Sequence, residues 1–181
     1  MRMALTVPGV LHTEKSPSQI DAEKALHSFR VNTLGPLLLL KHLAPFLPTR
    51  SSGPASHVSS SSDGCLPPHA VYAMMAARVG SISDNRLGGW YSYRASKAGV
   101  FQLAKTLDAY LQASSGERAM AVALHPGTVR TDFTRAFWDG GRREMLEPDD
   151  AAAKLLKVLC DLDVAEGRGR CWDWRGEEVV P

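Results

Sequence analysis

Apolar residues fall along this chain in two alternating rhythms. Ala4 to Val7 is a short apolar run stopped by Pro8-Gly9, the pattern of a buried strand running into a turn. A polar loop holding Ser16, Pro17 and Ser18 follows. Ile20, Ala25, Phe29, Leu37, Leu38 and Leu40 then predict a long helix, with Ser18 or Asp21 as its cap and Pro45 and Pro48 as its stop. Ala70 to Ala77 is almost continuously apolar, as in a strand covered on both faces of a parallel sheet, and Gly80 to Gly89 reads as a loop. From Tyr93 to Ala113 the apolar positions Val100, Leu103, Ala104, Leu107 and Leu111 line one face of a helix that Gly116 closes. Ala119 to Leu124 is a further buried strand, broken into a loop by His125-Pro126-Gly127. Pro148 suits the first turn of a helix over Asp149 to Leu162, whose Asp149 and Asp150 complement the positive end of its dipole. Cys171 to Trp174 closes the pattern as a short strand. Trp172 and Trp174 share one of its faces, which points to core or subunit packing.

Strands alternating with helices predict an α/β fold, a partial Rossmann-like (doubly wound) parallel sheet of about four strands joined by right-handed crossovers. The 181 residues suffice for one domain over 1–181. Within it, Thr49 to Pro68 turns to Ser, Gly and Pro, including the run Ser59 to Ser62, and reads as a flexible insertion over 49–68.

Composition narrows the function classes. Hydrophobic residues at 44% and charged residues at 22% are ordinary globular usage. A formal charge of +2, with Lys and Arg scattered, argues against a nucleic-acid surface. Cys65, Cys160 and Cys171 are far apart and odd in number, which fits a reducing, cytoplasmic compartment better than a disulfide framework. The six histidines have no short ligand spacing, so no metal is expected. The apolar stretch within Met1 to Val10 is too short for a secretory core or a membrane span.

The chemistry concentrates in Gly88-Gly89-Trp90-Tyr91-Ser92-Tyr93-Arg94-Ala95-Ser96-Lys97-Ala98-Gly99. Tyr93 and Lys97 are four apart, so on a helix they project from one face, one turn apart. An adjacent ammonium stabilises a phenolate and is expected to lower the phenol's pKa, making the pair a proton-transfer device. The spacing alone is more often that of a packed ring beside a solvated lysine. Asn32 offers a second point, because Pro36 has no N–H to give its carbonyl. That leaves either an acceptor for an ordered water or a simple proline kink.

Taken together these segments resemble the short-chain dehydrogenase/reductase family. Tyr93-x-x-x-Lys97, with Ser96 before the lysine and Ala98-Gly99 after it, looks like that family's active-site motif. Asn32-Thr33-Leu34-Gly35 resembles its asparagine-bearing helix motif, and Pro126-Gly127-Thr128-Val129-Arg130-Thr131 its nicotinamide-side loop. Val10-Leu11-His12 follows the strand end where the family has Asn-Ala-Gly. The stretch Ala77 to Tyr93 is similar to the subgroup related to the bacterial cell-signalling C-factor. The resemblance implies a cofactor, NAD or NADP, and a small carbonyl or alcohol substrate in a homo-oligomer. It implies that Tyr93 exchanges a proton with the substrate oxygen, that Lys97 tunes Tyr93 and binds the nicotinamide ribose, and that Asn32 relays protons through water. Pro126, Gly127, the Val129 backbone and the Thr131 hydroxyl would meet the nicotinamide side.

The chain departs from the family pattern in three places. Ala76 or Ala77 stands where the family has its catalytic serine, with Ser81 or Ser83 as loop substitutes. Val7-Pro8-Gly9 stands where Asn-Ala-Gly is expected. No Gly-x-x-x-Gly-x-Gly turn, whose backbone N–H groups would grip the pyrophosphate, occurs in the sequence. A complete member would carry three more strands ahead of Ala4. The alternative expectation is therefore a catalytically inert remnant that binds a partner through an open sheet edge or its long helices.

Overall fold

The computed structural model describes residues 1–52, 66–138 and 144–181. The strands form where apolar runs predict them: β1 (Met3–Thr6), β2 (Ala70–Met75), β3 (Ala119–His125) and, at the end of the chain, Cys171–Asp173. They make one sheet in which every pairing is parallel. β2 and β3 are apolar on both faces because both faces are covered. On one face Tyr72 and Met74 meet Val100, Ala104, Leu107 and Leu111 of the long helix over Tyr91–Ser114. On the other, Val71, Ala73, Val122 and Leu124 meet Leu155 and Leu159 of the helix Pro148–Asp161 and Val164 of the short helix Val164–Gly167. Trp172 and Trp174 both pack on this second layer.

The helix expected between Ile20 and Leu40 divides in two. Asp21, not Ser18, is its cap, accepting the Lys24 N–H at 2.9 Å. α1 spans Ala22–Phe29, and a π-helical turn over Arg30–Leu34 leads into α2, Gly35–Leu43. Pro36 has no N–H to continue an α pattern, and the widened turn shifts the bonding so that Gly35 N–H donates to the Arg30 carbonyl.

The helix over Tyr91–Ser114 is α3, and it is pressed against its neighbours with little room to spare. A Cβ at Gly80, which ends the short 3-10 turn Arg78–Gly80, would stand 2.7 Å from the Lys97 carbonyl carbon and 2.8 Å from the Ala98 nitrogen. A Cβ at Gly99 would stand 2.7 Å from Thr33 Cγ2, on the π turn. Glycine lets both segments lie directly on the middle of α3. At the far end, Arg50 N–H donates to the Ser114 carbonyl at 2.9 Å and its guanidinium to the carbonyls of Gln112 and Ala113. Thr49–Ser52, the start of the expected flexible insertion, is thus a turn tied to the end of α3; residues 53–65 of that insertion lie outside the described residues.

Three short elements went unforeseen within the loops. β4 (Thr128–Val129) and β5 (Met145–Leu146) form a two-stranded parallel sheet, and Asp132–Phe137 is a 3-10 helix. The remaining elements are α4 (Pro148–Asp161), α5 (Val164–Gly167) and β6 (Cys171–Asp173), giving the sheet order β1-β2-β3-β6. No described helix is long and apolar enough to cross a membrane.

Because the Gly80 contact is backbone against backbone, Gly80→Ala cannot be relieved by a rotamer change. It is expected to lower stability by about 1–3 kcal/mol or more, read as a fall in the urea midpoint at unchanged m-value; a midpoint equal to the parent's would contradict the close approach.

Candidate active site

The C-terminal ends of β1, β2 and β3 converge on the first turns of α3. Tyr93 and Lys97 lie on that helix, both buried, at 5% and 2% exposure. Lys97 Nζ donates to the Met75 carbonyl at the end of β2, 2.9 Å away, and a Cβ at Gly9 would lie 3.7 Å from it. The same Cβ would lie 3.8 Å from Phe133 Cε2, and the Phe133 ring packs against that of Tyr93 with centroids 6.3 Å apart. Tyr93 and Lys97 therefore face the same rim of the sheet, with Gly9 and Phe133 between and beside them.

Among the described residues the Tyr93 hydroxyl has no hydrogen-bond partner, and Met75 takes one of the three N–H donors of Lys97. Burial pushes the Tyr93 phenol up to about 12 and the Lys97 ammonium down to about 8. The expectation that Lys97 lowers the phenol's pKa is corrected: desolvation opposes the charged form of each group, and it sets the direction of both shifts.

Asn32 is fully buried on the π turn, and its carboxamide makes three hydrogen bonds. Oδ1 accepts the Val10 N–H at 2.8 Å; Nδ2 donates to the Val10 carbonyl and to Ser96 Oγ, each at 2.9 Å. Ser96 Oγ in turn donates to the Tyr93 carbonyl at 2.8 Å. The side chain thus clamps the loop after β1 to α3.

The first turn of α3 starts from three successive left-handed residues, Gly88, Gly89 and Trp90, with φ of +64°, +67° and +53°. Glycine adopts this freely. Trp90 adopts it at a cost of about 1–2 kcal/mol, offset by its N–H bond to the Glu14 carbonyl at 2.6 Å and by ring contacts with Tyr93 and Phe137. Glu14 is itself buried, and its carboxylate accepts from the Ser92 hydroxyl and the Ser92 N–H.

On the opposite wall, Gly127 turns with φ +76°, and a Cβ there would be 2.5 Å from Trp174 Nε1. Val129 belongs to β4, and its carbonyl accepts from Thr134 Oγ1 at 2.5 Å. The Thr131 hydroxyl is engaged in a capping box with Thr134 that starts the 3-10 helix carrying Phe133 and Phe137. Pro126 and Gly127 remain half-buried in the turn leaving β3.

No family model matches the chain. It is 31% identical over 156 residues to 1-hydroxy-2-glutathionyl-2-methyl-3-butene dehydrogenase from Rhodococcus sp., spanning 86% of this chain and 58% of that protein. It is 30% identical over 160 residues to C-signal of Myxococcus xanthus, spanning 88% of this chain and 80% of that protein. The chain belongs to the short-chain dehydrogenase/reductase family. Within the family it falls with the C-factor-like subgroup, as the C-signal similarity indicates.

Solved structures of the family share the fold. Carbonyl reductase Sniffer of D. melanogaster superposes with a TM-score of 0.77 at 22% identity, covering 99% of this chain and 66% of that one. The NADPH-bound carbonyl reductase from chicken fatty liver gives 0.75 at 24% identity, covering 100% and 66%. The chain spans less than two thirds of the length of both structures and of the Rhodococcus protein.

Against the family pattern, Ala76 is packed in the core just after β2, with its N–H on the Leu124 carbonyl, and Ala77 beside it is half-buried. Ser81 and Ser83, the suggested substitutes for the serine, both direct their hydroxyls to the Val180 carbonyl, and Ser81 also accepts the Asp84 N–H. They serve the loop and the chain end. Glu14, Phe133 and Phe137 had no signal in the sequence that set them apart from a solvated loop carboxylate and ordinary apolar residues.

The Lys97 shift has a sign that can be tested. Its folded pKa of about 8 lies below the ordinary 10.5, so between those values the unfolded chain holds a proton that the folded chain has released. Stability should therefore rise with pH from about 8 to about 10, above which Tyr93, holding its proton to about 12, reverses the trend. Urea midpoints across that window should climb for the parent and climb less for Lys97→Met; equal slopes would refute the buried ammonium.

Proposed function

We propose that this chain forms the catalytic part of a nicotinamide-dependent oxidoreductase acting on a small carbonyl or alcohol. The observation that carries this reading is a largely buried tyrosine whose hydroxyl has no described partner, one helical turn from a buried ammonium with N–H donors to spare. Both groups sit at the rim with hydrogen-bonding capacity that a bound molecule can complete. The spare donors of Lys97 fit the hydroxyls of a nicotinamide ribose, while Tyr93 fits the oxygen of a carbonyl substrate. Pro126, Gly127 and the β4 backbone at Val129 would border the nicotinamide ring. Thr131 fits less well, since its hydroxyl caps the 3-10 helix. When bound, the nicotinamide supplies or takes the hydride.

In this reading Tyr93 gives its proton to the substrate oxygen as the carbon is reduced. Lys97 holds the ribose and favours the charge left on the phenol. Asn32 keeps the loop after β1 and the Tyr93 turn in register, and through them a water path toward Lys97. The cofactor is NADP or NAD, the pyrophosphate-gripping turn having no counterpart in these 181 residues. A homo-oligomer in the reducing cytoplasm is part of the same proposal, supported by the exposed Leu37 and Leu38 of α2 and Tyr110 of α3.

A second reading, a non-catalytic module that binds a protein partner, is favoured by Ala76 and Ala77, neither of which offers a hydroxyl to the substrate. Titration with NADPH and NADH followed by fluorescence, then assay on a panel of carbonyl compounds, separates the two. Absence of binding to millimolar concentration supports the second.

Where turnover is found, Tyr93→Phe should reduce it by about 10²- to 10⁴-fold, the usual contribution of a general acid, with the melting temperature preserved. Rates like the parent's would sink the assignment. Of the two candidate serine positions, Ala76 packs in the core and Ala77 is half-buried, so Ala77→Ser should raise turnover by about tenfold or more, by adding a donor near the reacting oxygen; an unchanged rate would show that this position does not face the substrate.

A further inference from the structure

We propose that Glu14 is a positioning residue for Tyr93: its carboxylate, brought by the loop after β1, caps the helix that carries the Tyr93–Lys97 pair and holds the phenol in its seat. Its consequence for turnover rests on the function proposed above; the seating of Tyr93 does not.

α3 has no local cap. Trp90 occupies the N-cap position in a left-handed conformation, with no side-chain bond to the first turn. The donors there are met from a segment 78 residues away in sequence. Glu14 Oε2 accepts the Ser92 N–H at 3.3 Å, Oε1 accepts the Ser92 hydroxyl, and the Glu14 carbonyl accepts the Trp90 N–H at 2.6 Å. Glu14 is 3% exposed and forms no ion pair with any described residue. A carboxylate enclosed without a cation depends on these donors and on the positive end of the helix. It will not stay there if the turn moves, and the turn is not held if it leaves.

Tyr93 is the next residue after Ser92, so the fixed point lies immediately beside the phenol. The other end of the same turn is held by the same loop: Val10 binds Asn32, Asn32 binds Ser96, and Ser96 binds the Tyr93 carbonyl. The five residues from Val10 to Glu14 therefore grip the Tyr93 turn from both sides. A serine or aspartate at the N-cap position would satisfy the helix alone. A cap from Glu14 also makes the order of this loop and the alignment of Tyr93 one event.

The test uses the full chain with Glu14→Ala and Glu14→Gln, the second keeping one acceptor for Ser92. The Tyr93 phenol is titrated by difference absorbance against Tyr93→Phe in each background, with amide exchange at Ser92 and Tyr93, melting temperature and, where turnover is measurable, kcat and KM. In Glu14→Ala the phenol should titrate lower, moving from about 12 toward 10 as water reaches it. Exchange at the two amides should quicken by about five- to tenfold, the equivalent of a lost helix cap, and kcat should fall with KM little changed. Glu14→Gln should restore most of each. A lower melting temperature with Tyr93 titration and exchange as in the parent would reduce Glu14 to a general stabiliser and overturn the proposal. Should Glu14→Ala fail to fold, Glu14→Met, which fills the same space without an acceptor for Ser92, decides in its place: unchanged exchange at both amides and unchanged titration overturn the proposal. A shifted Tyr93 titration in a chain where Tyr93→Phe costs no turnover would leave the positioning standing and remove the dehydrogenase reading instead.

Discussion

The carboxamide of Asn32 is the point through which the loop after β1, the π turn and α3 are joined. An amide removed from water is destabilising unless its donors and acceptor are met. Here both the N–H and the carbonyl of Val10 go to this one side chain, so the carboxamide stands in for the edge of a neighbouring strand. Its remaining donor reaches Ser96 on α3. Thr33, the next residue, adds a second bond from its hydroxyl to the Ser96 carbonyl at 2.8 Å. The π turn makes these reaches possible, and Pro36 is the local cause of the turn. A backbone irregularity in one helix thereby sets the position of the helix that carries the candidate chemistry.

Close packing reinforces that placement. Gly80 and Gly99 lie where α3 is approached from two sides, and neither contact admits even a methyl group without displacement. On the far wall Gly127 lies against the Trp174 indole, whose ring is also approached by the Lys154 ammonium and the Arg175 guanidinium at 4.4 and 4.3 Å. The loop leaving β3 is thus braced by the end of β6 and by α4. Asp173, buried at the end of β6, accepts from Arg78 at 2.9 Å and from the N–H groups of Arg175 and Glu177. The segment between β2 and α3 is therefore tied to the opposite sheet edge, and the rim holding Tyr93 is bounded by polar contacts as well as by the core.

Much of this was legible in residue order because the relevant signals are local. Apolar runs without alternation marked β2 and β3, and recurrence at three and four marked α3. The four-residue spacing of Tyr93 and Lys97 placed them on one face. Other features depend on partners distant in sequence. The π turn follows from Pro36, but its fit depends on Gly99 meeting Thr33. β4 and β5 are two residues each, too short for any periodicity, and pair only because the chain returns past residue 144. Glu14 in a polar loop looks like any solvated carboxylate until Ser92 is brought to it. Spacing announces that Tyr93 and Lys97 are near each other but says nothing of burial, and burial turns the phenol's shift the opposite way from the one spacing implies.

That direction bears on which way a proton moves. With the phenol held near 12 and the ammonium near 8, both groups carry their protons at neutral pH. A protonated, partnerless phenol is a donor, suited to an oxygen that gains negative charge as its carbon accepts hydride, which is the reducing direction for a carbonyl. Running the reaction toward oxidation requires the phenolate, and forming it in this enclosure costs the desolvation that raised the pKa in the first place. Oxidation would gain ground only as the pH rises, or as a bound cofactor brings positive charge beside Tyr93. On the function proposed above, burial thus readies the phenol to give a proton, the step that carbonyl reduction requires.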